Sequence, residues 1–172
     1  MFAEIGKAAE KSCRFVAMLA GRTWKGAGAV INESMFSSKT DNWETPQDFF
    51  DKLNKEFYFN LDACATDENA KCKVYFTKEQ DGLSQEWGSR TWCNPPYGRE
   101  IGKWVKKASE ESSKGKLVVM LVPARTDTQW FHSYIYNKCG VETRMIKGRL
   151  RFGSSKNSAP FPSMVVVFRT GI

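Results

Sequence analysis

One histidine in 172 residues, His132, and five cysteines without a C-x-x-C pair provide no ligand set for a tetrahedral zinc site, so no metal is expected. The odd count of cysteines (Cys13, Cys64, Cys72, Cys93, Cys139) argues equally against a disulfide framework. The thiols read as reduced and the protein as soluble and cytoplasmic. No apolar run approaches the roughly 18 residues of a membrane span. The short run at 15–20, behind Lys7, Lys11 and Arg14, falls short of the apolar core of a signal peptide. His132 follows Trp130-Phe131 in a helical pattern and reads as a packing or surface residue. Cys93 has no base beside it in sequence, which speaks against a covalent nucleophile.

What is present is enough for one domain. Apolar residues make up 41% and aromatic residues 13%, so a sizeable core can be buried. The net charge of +7 is unevenly spread: residues 1–34 carry +2, residues 35–97 carry −4, and residues 98–172 carry +9. An acidic front and a basic back suggest two partners, the second a polyanion. Residues 1–34 stand apart as an accessory extension, with a small amphipathic helix expected over 3–20 and a Gly/Ala linker over 21–29. Its Gly26-x-Gly28 pair follows no strand and lacks a third glycine, so it is no nucleotide fingerprint.

From residue 35 the chain reads as one catalytic domain, 35–172. Thr45 and Pro46 are expected as N-cap and first residue of a helix that buries Phe49, Phe50, Leu53 and Phe57. A short strand is expected over 58–62, then a polar irregular stretch with an Asp81-Gly82 turn, then a strand over 91–93. Ile101, Trp104, Val105 and Ala108 fall at helical spacing, and the continuous apolar run 117–122 is that of a strand buried on both faces. A helix around Trp130–Ile135, closed by Cys139-Gly140, and strands over 141–146 and 164–168 complete the pattern. Strands alternating with helices predict an α/β fold with a mostly parallel sheet, and the last two strands an antiparallel hairpin at its edge.

Ligands in such folds bind at the carboxyl ends of the strands, where Asp62 and Asn94 both fall. Asn94 opens the tetrapeptide Asn94-Pro95-Pro96-Tyr97. Its two prolines remove backbone donors and stiffen the loop, leaving carbonyl oxygens to accept. If a planar base with an exocyclic NH₂ enters, the Asn94 side-chain oxygen and the Pro95 carbonyl each take one hydrogen while Tyr97 stacks on the ring. The amino nitrogen is then drawn toward tetrahedral geometry with its lone pair free for an electrophile. No general base is needed first.

At this point the sequence resembles the phage-type Dam family of DNA N6-adenine methyltransferases. The likeness runs through six blocks in order: 43–50, 61–65, Asp81-Gly82-Leu83, 92–98, 121–128, and the pair 148–152 with 159–163. It implies a Rossmann-like methyltransferase fold, S-adenosylmethionine as methyl donor, and adenine N6 of double-stranded DNA as acceptor, with GATC sites as the target. It also implies a role in shielding phage DNA from restriction or marking a prophage. Asn94, Pro95, Pro96 and Tyr97 match the catalytic motif. Asp62 matches the acid of the cofactor motif, near the methionyl amine or ribose. Thr45 and Pro46 match the segment bordering the methionyl carboxylate, and Asp81 the acid near the cofactor adenine. The Gly-rich loop usual after the first strand is here Ala63-Cys64-Ala65-Thr66, and the ribose acid is Asp67 or Glu68.

The charge split fits this reading, with an acidic front for a sulfonium and a basic back for phosphates. Arg125, Lys147, Arg149, Arg151 and Lys156 are the candidate DNA contacts, each weighed against an ordinary solvated basic face. Phe152 or Phe161 is the candidate to cover the second face of a flipped adenine, weighed against core packing. The residues alone leave two other functions open. One is the same chemistry on RNA, cytosine N4 or a protein glutamine, and the other is a DNA-binding module without catalysis.

Overall fold

A computed structural model describes residues 43–153 and 157–169. The expected helix over 3–20, the linker, the division at residue 34 and Lys156 lie outside the described residues. The order of elements is α1 (Gln47–Phe57), β1 (Leu61–Asp62), β2 (Arg90–Cys93), α2 (Ile101–Ser113), β3 (Leu117–Pro123), α3 (Gln129–Tyr134), β4 (Val141–Met145) and β5 (Ser163–Phe168). These strands form one sheet in the order β1-β2-β3-β5-β4. The pairs β1–β2 and β2–β3 are parallel, and β5 runs antiparallel to both β3 and β4.

The mixed α/β sheet is the class expected, with one refinement. β4 and β5 pair antiparallel at the edge, but β5 is not itself an edge strand. It inserts between β3 and β4, and all six of its residues are buried. Its run of Met164, Val165, Val166, Val167 and Phe168 suits a strand covered on both faces.

Local chemistry sets the boundaries at the front of the domain. Pro46, not Thr45, occupies the N-cap of α1, in an extended conformation that accepts the first helical bond from Phe50 N–H at 3.0 Å. The helix ends where Tyr58 turns left-handed at φ 53° and returns its N–H to the Asn54 carbonyl. Phe59 N–H donates to the Asn54 side chain at 2.8 Å. Tyr58 therefore closes a helix rather than starting the strand expected over 58–62, and β1 is only two residues long. Helix α3 likewise stops at Tyr134, short of Cys139-Gly140.

Phe50, buried in the middle of α1, meets the Trp92 ring of β2 at 5.6 Å. Beyond β1 the polar stretch is not fully irregular. Tyr75 bridges Asp62 in parallel, and the N–H groups of Asp62 and Phe76 bond across at 3.0 Å. Cys64, Cys72 and Cys93 are free thiols, whereas Cys139 is disulfide-bonded, which corrects the expectation that the thiols are all reduced; Cys13 lies outside the described residues. Among the described residues no helix is long and apolar enough to cross a membrane.

Candidate active site

Asp62 ends β1 and Asn94 follows the last residue of β2. Because Asp62 pairs in register with Trp92, the parallel ladder sets the two side by side at the carboxyl edge of the sheet. A cavity of about 860 Å³, its open mouth included, lies there. Of the residues expected to hold a cofactor, Thr45, Asp62, Asp81 and Asn94 line it, while Pro46 and Ala63 do not. Pro95 and Pro96 also line it and Tyr97 does not. At the place expected for a ribose acid the wall is Thr66 and Asn69. Asp67 and Glu68 are exposed, and Asp67 accepts from the Tyr75 hydroxyl at 2.8 Å.

The floor depends on a close backbone approach. Asp81 is left-handed at φ 49°, and a Cβ on Gly82 would come within 2.2 Å of the Ala63 carbonyl oxygen. Only glycine lets the turn lie on the end of β1, so Asp81 reaches the cavity. The Trp87 indole N–H donates to the Gly82 carbonyl at 2.7 Å and holds the turn from below.

Asn94 is the most constrained polar side chain of the site. Its Nδ2 donates to the Trp43 carbonyl at 2.5 Å and to Thr45 Oγ1 at 2.9 Å. A carbonyl oxygen can only accept, so the amide orientation is fixed by chemistry. Both N–H donors are thus occupied, and the buried Oδ1 is left without a partner. A buried acceptor with no partner is rare in folded proteins and here points to a ligand with a donor. Thr45 does not cap α1. Its hydroxyl is buried against Asn94, and local spacing carries no hint of a contact 49 residues away.

Asp62 is 2% exposed. Its Oδ1 accepts from Cys64 N–H at 3.3 Å and its Oδ2 from Lys71 N–H at 3.0 Å. Burial pushes its carboxyl up to about 6, and the two backbone N–H groups and the Lys71 charge pull only partly the other way. The folded carboxyl therefore holds its proton more tightly than the unfolded chain. This contribution to stability is complete below pH 4 and is lost as pH rises toward 6. We expect wild-type unfolding free energy to fall by about 2–3 kcal/mol across that window, relative to Asp62→Asn measured in the same urea series. Parallel pH profiles for the two proteins would contradict it.

Burial also raises the Cys64 and Cys72 thiols to about 12 and lifts Cys93 well above its ordinary value. At neutral pH none of the three is a thiolate.

Behind the cavity an aromatic cluster closes the site. Tyr97, 5% exposed, donates its hydroxyl to the Leu121 carbonyl at 3.2 Å. Phe161 and Phe152 meet its ring edge-on at 5.5 and 6.1 Å, and both also pack on Trp43. Phe152 and Phe161 are 4% and 5% exposed. A base can stack on Tyr97 only if one of them withdraws. Both come from the β4–β5 connection, which Gly153 N–H ties to the Glu44 carbonyl at 2.9 Å. On the same connection Lys147, Arg149 and Arg151 are exposed, while Arg125, just past β3, is half-buried.

Comparison with known proteins agrees with this chemistry. The chain is 33% identical to the DNA N-6-adenine-methyltransferase of Escherichia phage T1 over 116 residues, 66% of this chain and 46% of that protein. It thus spans about half the length of that relative. It is 31% identical to the DNA N-6-adenine-methyltransferase of Haemophilus phage HP1 over 139 residues, 76% of this chain and 80% of the relative. A putative methyltransferase of Escherichia coli K12, YfdM, is 37% identical over 65 residues, 33% of this chain and 71% of that one. A profile of one family matches residues 33–171, from before Trp43 to beyond β5, and so takes in Asp62, Asn94 and the whole sheet. The chain belongs to the DNA N-6-adenine-methyltransferase (Dam) family.

Proposed function

We propose that the protein methylates N6 of adenine in double-stranded DNA, with S-adenosylmethionine as methyl donor and GATC as its site. The observation that carries this reading is the orphaned Asn94 Oδ1, held in place by two bonds to its own amide nitrogen. Family membership supports the acceptor and the donor. Asn94 Oδ1 accepts one hydrogen of the N6 amino group and the Pro95 carbonyl the other, which frees the nitrogen lone pair for attack. Tyr97 supports the flipped base once the aromatic cluster opens. The bound cofactor supplies an electrophilic methyl group, and Asp62 and Thr45 stand where its charged end lies. Catalysis is then a matter of positioning and of acceptors aimed at a developing charge.

The domain responsible is 35–172, in a Rossmann-like methyltransferase arrangement, acting in the host cytoplasm. Arg125, Lys147, Arg149, Arg151 and Lys156 are the proposed phosphate contacts, which position the duplex without reading its sequence.

The test is methyl transfer from radiolabelled S-adenosylmethionine to DNA from a host without adenine methylation, followed by nucleoside analysis and restriction at GATC. N6-methyladenine confined to GATC is expected. Label at other sequences would remove the site assignment, and label in RNA or protein but not DNA would remove the acceptor.

A further inference from the structure

The outer edge of the sheet, far from the cavity in strand order, has no role in the chemistry so far. β4 ends that order, and among the described residues nothing pairs with its outer side. The ladder shows which backbone groups face that way. Arg169 N–H donates to the Gly140 carbonyl and Ile146 N–H to the Ser163 carbonyl, so the even-numbered residues of β4 turn their backbone groups to β5. Those of Val141, Thr143 and Met145 turn outward. Val141 N–H closes a turn on the Lys138 carbonyl at 3.3 Å. The Val141 carbonyl and both backbone groups of Thr143 and Met145 have no partner among the described residues. Side chains alternate along the same strand. Glu142 and Arg144 share one face, where Arg144 Nε donates to Glu142 Oε1 at 2.6 Å, and Val141, Thr143 and Met145 share the other. Met145 is 61% exposed.

We propose that this edge pairs with the same edge of a second copy, antiparallel about a two-fold axis at Thr143, giving a homodimer with one continuous sheet. Self-complementarity carries the proposal. With the axis there, each Thr143 N–H donates to the other Thr143 carbonyl, and each Met145 N–H to the opposite Val141 carbonyl. Glu142 faces Arg144 of the second copy on one side of the sheet, and Val141 faces Met145 on the other. Charges on an edge strand ordinarily keep a second copy away. Here they are of opposite sign and stand one residue to either side of the axis, so they attract. Glu56 and the Phe57 ring already hold the Arg144 guanidinium in place, and Arg169 holds Glu142 at 3.1 Å, so the charges meet preorganised. Other axes fail. One at Glu142 or Arg144 opposes like residues and meets backbone groups already spent on β5, and one at Val141 or Met145 pairs the strand with the loop beyond it. Five residues make a small interface, so the dimer forms with rising concentration and is not permanent. The axis reverses one sheet relative to the other, so the two catalytic edges face opposite ways and neither copy completes the other's cavity. The inference therefore goes beyond the function proposed above and does not rest on it.

Sedimentation velocity of the full chain, from about 1 to about 500 µM, is expected to show monomer passing to dimer. A wild type that stays monomeric throughout overturns the proposal. Thr143→Pro removes an N–H that only the second copy uses and leaves the bonds to β5 intact. It is expected to weaken association at least about tenfold, and unchanged association overturns the proposal. Glu142→Lys and Arg144→Glu each set like charges across the axis. Each alone is expected to remain monomeric where the wild type pairs, whereas an equimolar mixture restores opposite charges on both sides of the axis and dimerises. Either variant associating as strongly as the wild type, or a mixture no more associated than its components, overturns the assignment of this edge, even if Thr143→Pro fails to fold.

Discussion

Turnover of Asn94→Ala is expected to fall by about 10²–10³, the loss typical of removing one preorganised group aimed at developing charge. Affinity for S-adenosylmethionine is expected to stay within about threefold, because the acceptor is matched to the transferring amine and not to the cofactor. Steady-state rates on DNA and calorimetric cofactor binding separate the two effects. Retained turnover would remove Asn94 from the chemistry. The neighbours sharpen the test. Thr45→Val deletes one of the two acceptors that hold the amide, so the side chain can rotate and Oδ1 is no longer fixed in place. A fall in kcat of about tenfold is expected, with Thr45→Ser close to wild type. Had Thr45 acted mainly on the cofactor carboxylate, Thr45→Val would weaken cofactor binding and leave kcat alone.

Loss of Glu111 is expected to cost the most stability. It is 0% exposed, yet three lysines converge on it: Lys107 at 2.9 Å, Lys114 at 2.7 Å and Lys116 at 2.7 Å. Burial opposes its charge, but hydrogen bonds from Lys114, Lys116 and Lys107 prevail and draw the carboxyl down to about 2. Removing the shared anion leaves Lys107, with a side chain 16% exposed, without its counterion, and leaves Lys116, 14% exposed, only the exposed Glu86 at 3.0 Å. Glu111→Gln should therefore lose about 3–5 kcal/mol, the usual cost of breaking a buried ion cluster from one side. Urea denaturation at pH 7 measures this directly, and a loss below about 1 kcal/mol would show that water already compensates the lysines. The acid limb follows from the sign of the shift. The folded carboxyl lies below its unfolded value, so its contribution is complete above about pH 4.5 and disappears as pH falls toward 2. The glutamine variant should lack that limb. Glu111 also touches the cavity indirectly, since Oε2 accepts from Trp87 N–H at 3.4 Å and Trp87 supports the Gly82 turn.

The parts legible in the sequence are those written in neighbouring residues. The apolar run of β3, the helical spacing of Ile101, Trp104, Val105 and Ala108, and the placement of Asp62 and Asn94 at strand ends all follow from patterns within a few residues. What stayed illegible depends on partners far along the chain. Thr45 looks like a helix cap until Asn94 takes its hydroxyl. Glu111 falls in an ordinary charged helix sequence, and two of its three lysines lie at i−4 and i+3, where a surface pair is the usual reading. Lys71 belongs to a polar stretch with no periodicity. Its N–H meets Asp62 because that stretch bridges β1 at Tyr75. Phe152 is a candidate to cover a flipped adenine, weighed against core packing, and its packing on Trp43 and Tyr97 holds it inside.

The position of β5 has a consequence for how the protein is made. The last strand among the described residues is a central one, hydrogen-bonded to β3 on one side and β4 on the other. During synthesis, β3 is complete at Pro123 while its neighbour begins only at Ser163. At ordinary elongation rates that gap lasts about 2–8 s, long compared with hydrophobic collapse. Throughout it, a strand of seven residues, six of them destined for burial, has one unpaired edge. The nascent domain then presents a template for intermolecular pairing until β5 arrives.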